Sequence, residues 1–271
     1  MKISKTLYIR YLFTLLLPLS GLLQACDMIE YHPYDLDIDG ETEVNARNIQ
    51  RIETALDGKK EFSFAVISDT QRWYDETEDA VADMNEKGGI DFVVHTGDLS
   101  DFGMKLEFEK QRDILNGLSV PYGNHDCLAT GKEVFNRIFG EENFSFTAGD
   151  VLFICLNTNA LEFDYSDAIP DFSFLEKLLK NLSPDIRRTI VAMHAGPYSE
   201  QFNNNVAKVF QLYLRQFPGL QFCVYGHGHS IQVNDFFDDG ILYYECTCAK
   251  KRAYLRFTLK ENEYLYEVVN Y

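Results

Sequence analysis

Apolar residues gather in short, nearly unbroken runs at 62–67, 151–156, 188–193 and 220–225, each bounded by polar turn-forming residues. Runs of this length, rich in β-branched and aromatic side chains, are the pattern of strands covered on both faces. Between them the spacing changes to that of helices. Ile49, Ile52 and Leu56 share one face and predict a helix over 44–56. Further helices are predicted over 76–87, ending at Gly88-Gly89, and over 105–116, 132–139, 172–182 and 206–217, the last stopped by Pro218-Gly219. Short strands are expected at 91–94 and 118–120, and 144–146 pairs with 151–156 across the turn Ala148-Gly149-Asp150. Beyond residue 220 the chain reads mostly as strand, over 220–225, 230–236, 241–247, 251–259 and 263–269. Strand–helix alternation followed by a β-rich end predicts a layered α/β domain with mixed sheets. No G-x-G-x-x-G or Walker sequence follows any strand, which removes the usual support for a nucleotide-binding fold.

The first 25 residues have a different pattern. Lys2, Lys5 and Arg10 precede an apolar stretch over 11–23 that Pro18 interrupts, and Leu23-Gln24-Ala25-Cys26 closes it. The stretch is too short for a spanning helix, which needs about 20 apolar residues. It resembles a bacterial lipoprotein signal, so residues 1–25 are expected to be removed and Cys26 to carry lipid. Residues 26–60 then form a tether and short helix, and 61–271 the main domain. An exported protein held to the cell envelope only through that lipid is the expectation.

Charge narrows the partners. The chain carries −17, and without the three basic residues of the leader it carries −20. Such a surface repels nucleic-acid backbones and anionic membranes. A phosphate-bearing small molecule would need local positive charge, which metal ions supply. The cysteines decide little: Cys155 and Cys223 lie inside apolar runs and read as buried free thiols, and Cys246 and Cys248 as structural.

Candidate chemistry sits at the ends of the strand-like runs. Gly226-His227-Gly228-His229 follows one run and puts two imidazoles one residue apart on a glycine turn. Asp69 and Gln71, Asp98, Asn124 and His125, and His194 follow four others. Sites in open α/β sheets form where loops leave the carboxyl ends of strands. Any one of these residues is an ordinary turn former; together they form a mixed set of carboxylate, amide and imidazole ligands suited to Mn²⁺, Fe²⁺ or Zn²⁺. A shared carboxylate can hold two such ions with a hydroxide between them as nucleophile, and an unliganded imidazole beside them can protonate a leaving oxygen.

Asp69-Thr70-Gln71, Gly97-Asp98-Leu99-Ser100, Gly123-Asn124-His125-Asp126, His194 and Gly226-His227-Gly228-His229 resemble, in order and spacing over 62–230, the motifs of the calcineurin-like metallophosphoesterase superfamily. The resemblance implies a four-layer α-β-β-α sandwich with two mixed β-sheets and a dinuclear site that hydrolyses a phosphomonoester or phosphodiester. By the same resemblance Asp98 bridges two divalent ions, Asp69, Gln71 and His229 hold the first, and Asn124, His194 and His227 hold the second. His125 is then a catalytic residue that faces the phosphate with Asn124 and assists the leaving group. Gln71 stands where the family usually has His. Its neutral amide oxygen is a harder, weaker ligand than imidazole, so the first ion is expected to be loosely held or of a harder type such as Mg²⁺ or Ca²⁺.

Trp73 and Tyr74, just after the first motif, are candidates to stack on a substrate, with Tyr198 a weaker one. Asp101 and Asp126 are candidates to orient imidazoles, and His95 reads as a hydrogen-bonded core residue. The rival to an enzyme is a cell-surface metal-containing binding protein with weak or no catalysis. His125, which has no metal to bind in this scheme, favours the enzyme.

Overall fold

The computed structural model describes residues 36–118, 120–122 and 130–271. The expected leader, Cys26, Asn124 and His125 lie outside them. Among the described residues no helix is long and apolar enough to cross a membrane.

In chain order the elements are α1 (Val44–Leu56), β1 (Phe62–Ile67), α2 (Tyr74–Lys87), β2 (Phe92–His95), α3 (Lys105–Leu115), α4 (Gly131–Ile138), β3 (Phe144–Ala148), β4 (Val151–Leu156), α5 (Phe172–Lys180), β5 (Arg188–Met193), α6 (Ala207–Leu214), β6 (Leu220–Tyr225), β7 (Gln232–Asn234), β8 (Leu242–Glu245), β9 (Ala253–Leu259) and β10 (Tyr264–Asn270). One sheet runs β10-β9-β1-β2 and the other β3-β4-β5-β6-β8-β7. Both are mixed: β1 and β2 pair in parallel, as do β4, β5, β6 and β8, while β9, β10, β3 and β7 pair antiparallel.

The unbroken apolar runs become strands with both faces covered, because alternate residues serve different layers. Phe62, Phe64 and Val66 of β1 point at the other sheet and meet Phe153, Phe222 and Phe257 in the central core. Ala65 and Ile67 point outward beneath Met84, Phe108 and Phe135 of α2, α3 and α4. On the far side, Ile154, Val191 and Cys223 pack under Leu175 of α5 and Phe210 of α6. The result is the four-layer α-β-β-α sandwich with two mixed sheets. The Phe64 ring lies 5.2 Å from that of Phe257 and 5.1 Å from that of Phe153. Such pairs add about 0.5–1.5 kcal/mol each, less than the ~1.5–3 kcal/mol from burying each ring. Burial therefore holds the layers together, and ring geometry refines it.

Arg188 ties the two sheets at the edge away from the parallel strands' carboxyl ends. Its guanidinium donates to Asp150 Oδ1 at 2.6 Å and to the carbonyls of Lys60 and Lys260, which flank β1 and β9. Cys155, Cys223, Cys246 and Cys248 are buried free thiols.

Three expected elements differ. The strand expected at 230–236 contracts to β7, because the Asp235 carboxylate accepts the backbone N–H groups of Asp239 and Gly240 and closes a turn there. The helix expected over 206–217 is shorter, opening after a 3₁₀ turn at Asn204–Val206. Near 118–120 the pairing falls later: Tyr122 forms a parallel bridge with His95. Residues 120–122 are held from the other side by α1, where Asn48 donates to the Val120 carbonyl and Asn45 exchanges two bonds with Tyr122. The helix at 44–56 thus fixes the segment that leads into Gly123-Asn124-His125-Asp126.

Candidate metal centre

The parallel strands of the two sheets end at the same edge of the sandwich, and the loops that leave them interlock. Asp69 N–H donates to the Gly97 carbonyl at 2.9 Å, and Thr70 N–H to that of Asp98 at 2.9 Å, so the loops after β1 and β2 form one unit. Gly226 N–H donates to the His194 carbonyl at 2.9 Å and joins the loops after β5 and β6. His227 N–H donates to Asp69 Oδ2 at 3.2 Å and links the two sheets' loops. Asp69, Asp98, His227 and His229 all have φ between 52 and 71°. For non-glycine residues that conformation costs on the order of 1–3 kcal/mol each and persists only where surrounding bonds impose it.

These loops bring Asp69, Gln71, Asp98, His194, His227 and His229 together. One ligand atom each from Asp69, Asp98 and His194 lies within 4.8 Å of the other two. Asp69 is fully buried and His194 nearly so. His194 Nδ1 is 3.2 Å from the Thr96 carbonyl; an N–H there makes Nε2 the lone-pair nitrogen, and Nε2 faces Asp98 Oδ1 at 3.6 Å. The ring of His227 meets that of His194 edge-on at 5.2 Å, and its Nε2 lies 3.0 Å from Glu200 Oε1. His229 Nε2 lies 2.9 Å from Asp69 Oδ1. That bond raises the pKa of His229, against the lowering effect of burial. A cation ligated by both atoms has to displace the proton between them, so uptake of metal releases it.

Gln71 supplies a test of whether the site suits a cation. Its Nε2 donates to Asp98 Oδ2 at 3.2 Å, which turns the amide oxygen the other way. Oε1 is buried and accepts no hydrogen bond from the described residues. Leaving such an oxygen unsatisfied costs about 1–3 kcal/mol, and a half-turn of the amide, which exchanges its two ends, would aim that oxygen at a divalent ion held by Asp98. Two carboxylates, an amide oxygen and imidazoles in one cluster, buried at Asp69 and His194 and open to solvent at His229, fit a metal centre.

Near these residues, His95 is fully buried: Gly97 N–H donates to Nδ1 at 3.0 Å, so Nε2–H donates to Thr70 Oγ1 at 2.9 Å. Burial pushes its pKa down to about 4, and the neutral ring braces the loops after β1 and β2. Trp73 is half-buried with Lys250 Nζ 4.8 Å above its ring, and the half-buried Tyr74 opens α2. Both Asp101 oxygens accept from Arg72 Nε at 2.9 Å, and among the described residues it meets no imidazole.

Glu245, at the end of β8, was not legible as part of the site. Its buried carboxylate lies beneath the His-x-His turn, where Oε1 accepts from Ser230 N–H and Oγ, and Oε2 from Tyr225 Oη. The turn tolerates this only because it is built on glycine. A Cβ on Gly228 would overlap Glu245 Oε1, and one on Gly226 would overlap Ser68 Oγ and stand 2.7 Å from Asp69 Oδ2. Gly226→Ala is therefore expected to push the His227–His229 turn off Asp69. Denaturant titration should show a loss on the order of 1–3 kcal/mol, with reduced bound metal. A variant with unchanged stability and metal content would show that the turn is not sterically locked.

Comparison with known proteins bears on these residues together. Residues 62–230, more than half of the chain, match the family model described as calcineurin-like phosphoesterase. The chain belongs to that family. As a calcineurin-like phosphoesterase it falls within a class of hydrolases. It is 27% identical over 153 residues to a 3′,5′-cyclic-nucleotide phosphodiesterase of Nostoc sp., a match that spans 52% of this chain and 56% of the relative. Its fold is similar to that of a dimetal phosphatase from Danio rerio, with a TM-score of 0.60 and 13% identity over 77% of this chain and 96% of that one. It is also similar to a protein of Thermus thermophilus, with a TM-score of 0.52 and 14% identity over 78% and 99% of the two chains.

Proposed function

We propose that this phosphoesterase hydrolyses a phosphomonoester or phosphodiester at a dinuclear centre. The observation that carries the proposal is the convergence of Asp69, Asp98 and His194 ligand atoms within 4.8 Å, at the edge where both sheets' parallel strands end. Asp98 would bridge, with its two oxygens turned toward Gln71 and His194. Asp69, Gln71 and His229 would complete one site, and His194, His227 and Asn124 the other. Divalent ions held there would neutralise charge gathering on the phosphoryl group and acidify an attacking water. Asn124 and His125 would face the phosphate, and His125 would give its proton to the departing ester oxygen as the P–O bond breaks. The first site, with the amide of Gln71, would favour a harder ion or bind more loosely. The relative from Nostoc supports a diester among the substrates. The sequence of residues 1–26 supports an exported protein anchored through lipid on Cys26.

The test is the protein stripped of metal by a chelator and assayed with p-nitrophenyl phosphate and bis(p-nitrophenyl) phosphate. Mn²⁺, Fe²⁺, Zn²⁺, Mg²⁺ and Ca²⁺ are added singly, with bound metal counted in parallel. Turnover that returns only with metal is expected, and the faster ester names the substrate class. Tight metal binding without turnover under any ion would replace the enzyme with a binding protein.

A further inference from the structure

On the β7 side of the metal centre, a cavity of about 490 Å³ opens beside Gly226-His227-Gly228. Tyr198, Tyr225 and Phe236 wall it, with the Phe236 ring 5.8 Å from that of Tyr198 and 6.1 Å from that of Tyr225. The rings meet at 63° and 53°, which makes a concave wall, not a flat stack. Glu200 and Glu245 also line the cavity, and among the described residues no Lys or Arg does. Glu245 is buried, and its oxygens meet neutral donors from Ser230 and Tyr225.

Tyr198 is held at the mouth with φ of 71°, and its N–H donates to Asn204 Oδ1 at 2.7 Å. Half of its surface stays exposed. A bulky residue kept in that conformation at a cavity mouth marks an imposed position.

Angled aromatic faces together with carboxylates form the environment that attracts an organic cation and repels an anion. Glu200 already meets His227 Nε2 at 3.0 Å, but an apolar group would gain from the rings and leave the buried Glu245 carboxylate with neutral donors alone, and a second phosphate would meet like charge. We propose that this cavity binds the ammonium end of a short amino alcohol whose phosphate ester lies on the metal centre, with Tyr198 as a specificity residue. The proposal rests on the phosphoesterase reading, which it deepens by naming the substrate's organic group.

Calorimetry on the metal-loaded protein tests it, with phosphocholine compared against ethyl phosphate, which lacks the cation. Phosphocholine is expected to bind about tenfold more tightly, in line with a desolvated cation over aromatic rings. The preference should vanish in Tyr198→Ala and survive in Tyr198→Phe, which keeps the ring. Equal affinities in the wild type, or a preference that persists in Tyr198→Ala, would overturn the proposal. So would tighter binding of a nucleoside monophosphate than of phosphocholine. Choline chloride, titrated alone, reads the cavity apart from phosphate chemistry: binding lost in Tyr198→Ala supports the cavity even if neither p-nitrophenyl ester is hydrolysed, and no binding counts against it. Hydrolysis of glycerophosphocholine but not of phosphatidylcholine vesicles would assign the amino alcohol to soluble esters; the reverse would assign it to lipid headgroups.

Discussion

Asp98→Asn is expected to remove metal-dependent turnover almost completely, by on the order of 10³-fold, the upper end of what loss of one electrostatic stabiliser costs. The substitution changes little in shape and much in charge. Asp98 Oδ2 accepts from Gln71 Nε2, and Oδ1 faces His194 Nε2. An amide at this position either turns its own N–H₂ toward the Gln71 donor or turns it toward the lone-pair nitrogen of His194. In each arrangement one side of the bridge is lost, along with the negative charge that balances two divalent ions. Elemental analysis should therefore show less bound metal together with the lost turnover. The metal-free variant should melt no lower than the metal-free wild type, since the change relieves repulsion between carboxylates that lie close to one another. That comparison separates a defect in the site from a defect in folding. Retention of both metal and turnover would rule out a bridging role for Asp98.

His125→Ala is the second large effect, with an opposite signature in the metal count. The residue stands in Gly123-Asn124-His125-Asp126, the one motif imidazole for which the proposed ligand sets have no place. A general acid contributes about 10²–10⁴-fold, so turnover should fall by that range while metal content and melting temperature stay where they were. The size of the loss should depend on the ester. An alkyl alcohol leaves poorly without a proton and should show the full effect, whereas p-nitrophenolate leaves readily as an anion and should show a much smaller one. Measuring both esters in wild type and variant gives that ratio. Equal losses for the two would mean that His125 acts on the phosphate and not on the leaving oxygen. Loss of metal in the variant would make it a ligand.

The site was more legible than its surroundings, and the reason is locality. Asp69, Asp98, His194, His227 and His229 each sit within four residues of the end of an apolar run, so strand ends place them before any long-range contact is known. The packing partners carry no such mark. Glu200 reaches His227 across 27 positions and Glu245 reaches Ser230 across 15, and neither stands in a pattern that signals chemistry. Tyr198 stood out weakly by its nearness to His194, but Tyr225 and Phe236, which complete the wall with it, carried no such mark, because ring proximity there comes from the meeting of loops around β6 and β7. Asp235 shortened an expected strand through its own side chain, a local competition that hydrophobic alternation does not register.

By itself the sequence determined the layered α/β class with mixed sheets and the polar residues that follow the strand ends, since burial on two faces and the turns after strands are written in neighbouring residues. Only the tertiary structure decided how those turns meet. It seated Glu245 beneath Gly228, turned the Gln71 amide so that its oxygen is buried without a hydrogen bond from the described residues, and gathered three aromatic rings and two carboxylates beside His227. These are contacts between segments far apart in the chain, and their geometry follows from how two twisted sheets pack face to face, which no local stretch encodes.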